Sequence, residues 1–542
     1  MMPDTYRFIA AFLLTVAWSA ASFAAEERYG YTSLDAHEVP IYNSVLNADH
    51  SGTSTTSFDL NSLTCDHFVD VDGTTATWAD ITGNTADNVF CVRPGQHTGK
   101  GLLTLNFGGS ADTLAGRNWL LCVNASDQLI DTVAIDRVAA DACSMEGIYL
   151  NTDSDYWVIH GFDIAGDSHG SIDCGDTTNE GDFVLINGNV LDGGNQTSTQ
   201  NVISIGNCEP FTIQNNVVRN SAIGAGDDAH CISISDNRDD GKVLNNEIYN
   251  CSDGIQTRRS ARTVIDNNDV YVTSARYINC NSGDPWPTAQ NDAGNCMCGE
   301  NAIDVKGGGA TANIMTISFN RVWGIRRGDS VTGGACGASG DETGDAIKIH
   351  GHAGTGVSAQ FVDLVHNDVF DSQRLITLGG DLDNNDDVTI EDNRLWSYDL
   401  FDAVPGRGCN GIKLDSEVDR LSMVGNSIFN PLNAACVYLD RASAGADFLC
   451  NVLEGIAGGL ADTGTFSAGA EDFNAYRGDF DSTPPGASTI AVTDEEFSDV
   501  TTVIQRWTDP TTITVPFGDH LTTSAVHTLC NLATRTAGYG AE

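Results

Sequence analysis

The chain has 542 residues, of which 74 are acidic and 27 basic, for a formal charge of −47 at neutral pH. So anionic a surface excludes unaided binding to nucleic acid or to an anionic membrane, and a polyanionic partner would need a local basic patch or a bridging cation. Aspartate exceeds glutamate by 58 to 16 and glycine numbers 57, a balance that favours turns and oxygen ligands over long helices.

Residues 1–24 place Arg7 ahead of the apolar run FIAAFLLTVAWSAASFA and end on small residues at Ala24 and Ala25, the pattern of a secretory signal. Nothing later is apolar enough to span a bilayer. The expected location is therefore secreted, extracellular or periplasmic, where the sixteen cysteines belong in disulfides. Cys296 and Cys298 form a C-x-C without a second pair at zinc spacing, and the pairing itself is not legible from sequence.

From residue 186 onward one pattern recurs: an apolar residue, two variable positions, Asn, one variable position and another apolar residue. It reads INGNVL, IQNNVV, VLNNEI, IDNNDV, ISFNRV, LVHNDV, IEDNRL and MVGNSI, with Asn189, Asn216, Asn246, Asn268, Asn320, Asn367, Asn393 and Asn426 at its centre. The separations are 27, 30, 22, 52, 47, 26 and 33 residues. The shortest approximates one coil of a parallel β-solenoid, and the two long ones a coil plus an inserted loop. Stacked asparagines at a bend hydrogen-bond one another along the stack, which gives the spacing a structural cause.

A second pattern runs in phase, 13 to 20 residues before the asparagines from Asn216 onward and once more after Asn426: VISIG, CISIS, GIQTR, AIDVK, AIKIH, LITLG, GIKLD and CVYLD. Its period is two, so the second and fourth residues point inward while the third and fifth face out. Stacking the rungs gives one outward column of Ser204, Ser233, Gln256, Asp304, Lys348, Thr377, Lys413 and Tyr438. The other outward column contains Arg258, Lys306 and His350. Three of the five lysines in the chain, Lys306, Lys348 and Lys413, thus share one sheet face. With rungs ~4.8 Å and columns roughly 7 Å apart, these side chains could surround one sugar ring.

The plain structural alternative is an ion-pair ladder in which Asp304 pairs across strands with Lys348, worth under ~1 kcal/mol when exposed, but it leaves the crowding of Arg258, Lys306 and His350 in one column unexplained. Arg258 and His350, one rung either side, are expected to lower the pKa of Lys306, with Asp304 acting in the opposite sense. As an outward strand residue Lys306 is expected to contribute little stability. Long insertions at 269–302 and 321–346, with a smaller one at 394–411, enter at the corner before the strands of Lys306, Lys348 and Lys413. Trp286, between two prolines, offers a platform for a sugar. The aromatic series Tyr249, Tyr271, Trp323, Phe370, Trp396 and Phe429 reads as a structural stack.

Laddered coils, the YWVIHGFDI segment at 156–164, an acidic secreted chain and a basic residue on an exposed rung face together resemble the right-handed parallel β-helix polysaccharide lyases. These are the pectate lyase-like and chondroitinase-B-like alginate lyases, and the similarity spans about residues 85–455. The resemblance implies an all-β right-handed parallel β-helix with an asparagine ladder, an N-terminal cap and long loops on one edge. Residues 25–155 would form the cap and first coils, with CVRPGQHTG at 91–99 resembling the family's opening turn. Residues 156–455 would form the helix carrying the catalytic face, and 456–542 a C-terminal extension or cap packed on it.

In function, the resemblance implies cleavage of a uronic-acid-containing polysaccharide by β-elimination. Lys306 would be the base, with Arg258 and His350 as catalytic neighbours, and Lys348, Lys413 and Trp286 would bind substrate. Calcium, held by Asp227, Asp228, Asp253 and Asp304, would neutralise the uronate carboxylate. The expected partner is an acidic polysaccharide rather than nucleic acid or membrane, and the expected state is a monomer. Two other readings stay open. GDDAHCISI at 226–234 resembles the DDC segment of polygalacturonases, with Asp227 and Asp228 as acid and base of hydrolysis. A non-catalytic adhesin or carbohydrate-binding solenoid would have no need of Lys306.

Overall fold

A computed structural model describes residues 63–457 apart from a set of loops, the longest being 130–141, 273–299, 326–343 and 397–409. It also describes a strand pair at Glu38–Tyr42 and Thr55–Asp59 and four short strands between 460 and 491. Short strands dominate, and they pair into three sheets of 15, 14 and 12 strands, here sheets 1, 2 and 3. Within these sheets each strand pairs in parallel with the one a coil before and a coil after, as Val264–Asp266 does with Lys242–Leu244 and Met315–Ser318. A single coil runs Phe211–Gln214 in sheet 1, Val217–Arg219 in sheet 2 and His230–Ile234 in sheet 3 before Lys242–Leu244 returns to sheet 1. A parallel pair needs a crossover, and each sheet's crossover is built from strands of the other two. The fold is the expected parallel β-helix.

Alternation determines what lies inside. In sheet 3 the inward Ile232, Ile255, Ile303, Ile347, Ile376 and Ile412 align rung on rung, and all are fully buried. No strand of three to six residues is stable alone, so burial against the neighbouring coils supplies the stability.

The turn between sheets 1 and 2 sets the register. Asn216 donates from both its backbone N and its Nδ2 to Asn246 Oδ1, each at 3.0 Å, while Nδ2 also reaches the Ile186 carbonyl at 3.0 Å. The same arrangement links Asn189, Asn216, Asn246, Asn268, Asn320, Asn367, Asn393 and Asn426. It then continues to Asn451, whose FLCNVL segment fits the repeat one coil beyond the eight expected. The residue before each of the first eight asparagines is left-handed, with φ from 52° to 71°. Gly, Asn and Asp hold six of those eight positions, as their tolerance of that conformation requires. Phe319 and His366 hold the other two, and their rings stack at 4.9 Å.

The aromatic stack forms on sheet 2. Tyr249, Tyr271, Trp323 and Phe370 lie 5.2, 4.3 and 5.3 Å apart, ring planes nearly parallel. Trp396 and Phe429 continue the column by backbone register, though their side chains lie outside the described residues. Every described cysteine is in a disulfide: Cys65–Cys91, Cys122–Cys143, Cys174–Cys208 and Cys231–Cys251. Cys296 and Cys298 lie outside the described residues. Among those residues no helix is long and apolar enough to cross a membrane. Residue 456 marks no break in pairing, because Leu460–Asp462 extends sheet 3, Glu471–Asp472 sheet 1, and Ala475–Asp479 sheet 2.

Asn268→Ala should orphan two buried donors of Asn246, at about 1–3 kcal/mol each. A urea midpoint lowered by about 2–4 kcal/mol of stability is expected. A loss below about 0.5 kcal/mol would show that hydrophobic stacking sets the register without the ladder.

Candidate active site

The expected columns on the outer face of sheet 3 exist. Register places Gln256, Asp304, Lys348, Thr377 and Lys413 in one, and Arg258, Lys306 and His350 in the other. A third column runs beside them: His230, Asp253, Asn301, Asp345 and Arg374. Strict alternation would turn these residues inward. The rule fails at the corner, where a Cβ on Gly254 would stand 2.4 Å from Cγ1 of the core residue Val270. Position 254 therefore faces the interior together with Ile255, and Asp253 emerges on the outer face. There its Oδ2 accepts from Gln256 Nε2 at 3.0 Å.

Asp304 lies at the centre and is fully buried. Its Oδ1 accepts from His350 Nε2 at 2.9 Å, and its Oδ2 lies 3.2 Å from Lys306 Nζ and 3.4 Å from Gln256 Nε2. Burial alone would raise its pKa, but His350, Lys306 and Lys348 outweigh that and hold it well below the ordinary carboxylate range. An ionised carboxylate only accepts, so His350 Nε2 carries the hydrogen, and in the neutral ring the lone pair is on Nδ1.

The opposite balance operates at Lys306. Burial would lower its pKa, yet attraction from Asp304, Asp253 and Glu300 wins and raises it above the ordinary lysine value. This corrects the expected depression. Arg258 is turned toward Gln256, its Nε donating to Oε1 at 2.8 Å, and His350 is engaged with Asp304, so the expected repulsion is absorbed while Asp304 is in contact. The premise of a small stability role, an exposed side chain, is also changed: Lys306 keeps 22% exposure against a fully buried carboxylate, which its removal would leave with one cation fewer.

The neighbouring carboxylates have their own donors. Asp253 accepts from the Asn301 backbone N at 2.9 Å and lies 3.3 Å from His230 Nε2. Asp345 accepts from Thr377 Oγ1 at 2.8 Å and faces Arg374 Nη1 at 3.6 Å. Asp253, Asp304 and Asp345 are each 0% exposed, whereas the Lys306 and Arg374 side chains keep 22% and 15%, and Arg258 and Lys413 are half-buried. The face is thus layered, with carboxylates beneath and cations toward solvent.

Glu300, one residue ahead of the Lys306 strand and absent from the sequence reading, is also buried. Burial, then the charges of Asp253 and Asp304, push its pKa up to about 10 against the pull of Lys306 and Lys348.

Lys306, Arg258 and His350 therefore come together as expected, with Lys348 and Lys413 along the same face. Trp286, Asp227 and Asp228 lie outside the described residues. The long insertions do enter at one corner, between Tyr271 and Asn301, Trp323 and Asp345, and Trp396 and Asn410. The two described candidates for calcium do not form a cation cage. Both oxygens of Asp304 are taken by His350 and Lys306, those of Asp253 by Asn301 and Gln256. Among the described residues no group of three or more His, Cys, Asp or Glu is arranged to hold a metal ion.

No family model and no curated protein matches the chain. Solved structures with a similar trace include a mannuronic-acid-specific family 6 polysaccharide lyase from the human gut microbiota (10% identity, TM-score 0.39, 79% of this chain and 91% of that one). The A-module of a mannuronan C-5 epimerase of Azotobacter vinelandii is similar at 11% identity and TM-score 0.35, over 79% of this chain and 100% of that one. The surface protein and adhesin PfbA of Streptococcus pneumoniae is similar at 13% and 0.34, over 75% and 91%.

Asp304→Asn should be less stable than the wild type at pH 7 by about 2–4 kcal/mol, because His350, Lys306 and Lys348 lose their common counter-charge. A depressed carboxylate contributes stability above its unfolded pKa and loses it as pH falls toward the folded one. The gap between the two proteins should therefore narrow below pH ~4. Denaturant unfolding at pH 7 and pH 3 measures it, and a gap that stays constant would mean that Asp304 is not the ionised centre.

Proposed function

We propose that the chain is a secreted carbohydrate-active enzyme that cleaves a uronate-containing polysaccharide by β-elimination at the Lys306 face. The observation that carries this reading is the layering of charge: Arg258, Lys306, Arg374 and Lys413 reach solvent above carboxylates that are 0% exposed. On a chain of net charge −47, a solvent-facing cationic row has a use when its ligand is an anion. Beneath the row, Asp304 keeps Lys306 charged and Asp345 faces Arg374 before that anion arrives, which is the preorganisation that electrostatic catalysis requires. The signal-like residues 1–24 and four disulfides support export.

In this reading the uronate carboxylate lies against Lys306 and Arg258, and its charge is neutralised so that the C5 hydrogen becomes acidic. Lys306, held protonated by Asp304, acts as the neutralising cation in place of the base role first assigned to it. His350, directly beside it in the column and with its tautomer fixed by Asp304, is assigned the C5 proton on Nδ1; that atom is buried, so the sugar has to displace what covers it. The C5–H electron pair forms the C4=C5 bond as the C4–O4 bond breaks, and the departing oxygen leaves with a proton. Lys348 and Lys413 hold neighbouring uronates along the stack. Asp253, Asp304 and Asp345 are each engaged by donors of their own, so no described pair of carboxylates favours hydrolysis.

The test is incubation with pectate, alginate, glucuronan and glycosaminoglycans, with and without chelator, while the unsaturated-uronate absorbance is followed. At least one polymer should be cleaved with rising absorbance, undiminished by chelator. Lys306→Ala should lower turnover roughly 10²–10³-fold, and Lys306→Arg, which keeps the charge, should retain more than the alanine variant. New reducing ends without absorbance would replace elimination by hydrolysis, and binding without cleavage would leave an adhesin.

A further inference from the structure

We infer that Glu300 is the proton donor to the glycosidic oxygen that departs, an inference that takes its substrate from the reading above. Glu300 is fixed from both sides of its coil. Its backbone N donates to the Ser252 carbonyl at 2.8 Å, and its own carbonyl accepts from Gly344 N at 2.7 Å and Asp345 N at 3.1 Å. It therefore sits firmly at the corner where the insertions join the sheet, immediately before Asn301–Lys306. The residue is 8% exposed.

Four charged side chains bear on the Glu300 carboxyl: Asp253, Asp304, Lys306 and Lys348. The two aspartates have donors of their own, and Lys306 is committed to Asp304 at 3.2 Å. No hydrogen-bond donor or ion-pair partner reaches the Glu300 carboxyl among the described residues. A third ionised carboxylate in so dry a place, next to two others, is unfavourable, so the group keeps its proton. The outcome is a neutral carboxylic acid in the same cluster as the Lys306 ammonium, whose charge it senses. That ammonium, with its pKa raised, is the weaker acid of the two.

The step balances without a co-reactant. As C4–O4 breaks, its electron pair takes the Glu300 proton and the glycosidic oxygen leaves as a hydroxyl, while the C5 proton resides on His350. Proton exchange with solvent then restores both groups. An alkoxide, about as basic as hydroxide with its conjugate acid near ~15.7, takes a proton readily from such an acid.

Two measurements on the full chain decide it, the first without substrate. A carboxyl whose pKa rises from 4.5 to about 10 on folding binds in the native state a proton that the unfolded chain has released, so it weakens the fold as pH climbs between those values. Glu300→Gln cannot ionise. Its thermal midpoint should match or exceed that of the wild type at pH 7 and gain on it further by pH 9, and parallel pH dependences would overturn the inference.

In the second measurement, Glu300→Gln should lower kcat roughly 10²–10⁴-fold with KM little changed, and wild-type kcat should fall as pH passes about 10. Unsaturated products formed by Glu300→Gln at the wild-type rate would remove the donor and leave the elimination standing. Saturated products together with loss of activity in the variant would remove elimination and keep the donor, since hydrolysis protonates the same oxygen. A chain that cleaves none of the polymers overturns both.

Discussion

The asparagine ladder is the constraint on which the geometry depends. Each rung joins two coils through an Oδ1 that accepts twice, and an Nδ2 that also reaches the sheet 1 strand of the preceding coil. Shifting one coil by a residue would strand three buried donors and turn its isoleucines outward. Locked turns therefore produce locked registers in all three sheets. The 2.9 Å contact between Asp304 and His350, 46 residues apart, is a consequence: two coils stack in only one way, whatever the length of the insertion between them.

How much was legible in the sequence follows from the same physics. Repeated asparagines and alternating apolar residues report directly on a fold built from repetition, so the solenoid, its columns and the shared corner of the insertions could be read. What escaped depended on local deviations and on distances. The column of Asp253, Asn301 and Asp345 was hidden because alternation breaks at Gly254, where a side chain would collide with Val270. Glu300 was missed because it precedes the strand, where no period applies. The direction of the Lys306 shift was wrong for a third reason: spacing gave its neighbours but not their contacts, and the carboxylate at 3.2 Å outweighs cations that are occupied elsewhere.

Net charge sets the conditions in which such a site operates. At physiological ionic strength a charge is screened over about 8 Å, so an anionic polymer of the proposed kind would sense chiefly the cations it touched and little of the acidic surface beyond. At low salt that surface reaches farther and opposes association. The layered face answers a design problem: exposed cations in an acidic protein would ordinarily be drawn to surface carboxylates. Here Lys306 and Arg374 have carboxylate partners underneath, in Asp304 and Asp345.

Glu300 and Asp304 are buried within one cluster and shift in opposite directions, so burial cannot be what separates them. Donors do. Asp304 has His350, Lys306 and Gln256 at hydrogen-bonding or ion-pair distance and stays ionised, and once ionised it raises the cost of a second negative charge at Glu300. One carboxylate thereby governs three protonation states: the tautomer of His350, the charge of Lys306 and the proton on Glu300. On the proposed reading these are the base, the cation and the acid of a β-elimination, and all three depend on a side chain that is itself fully buried. Lys306, one of five lysines in the chain, is thus one member of a set whose organiser is the aspartate two residues before it.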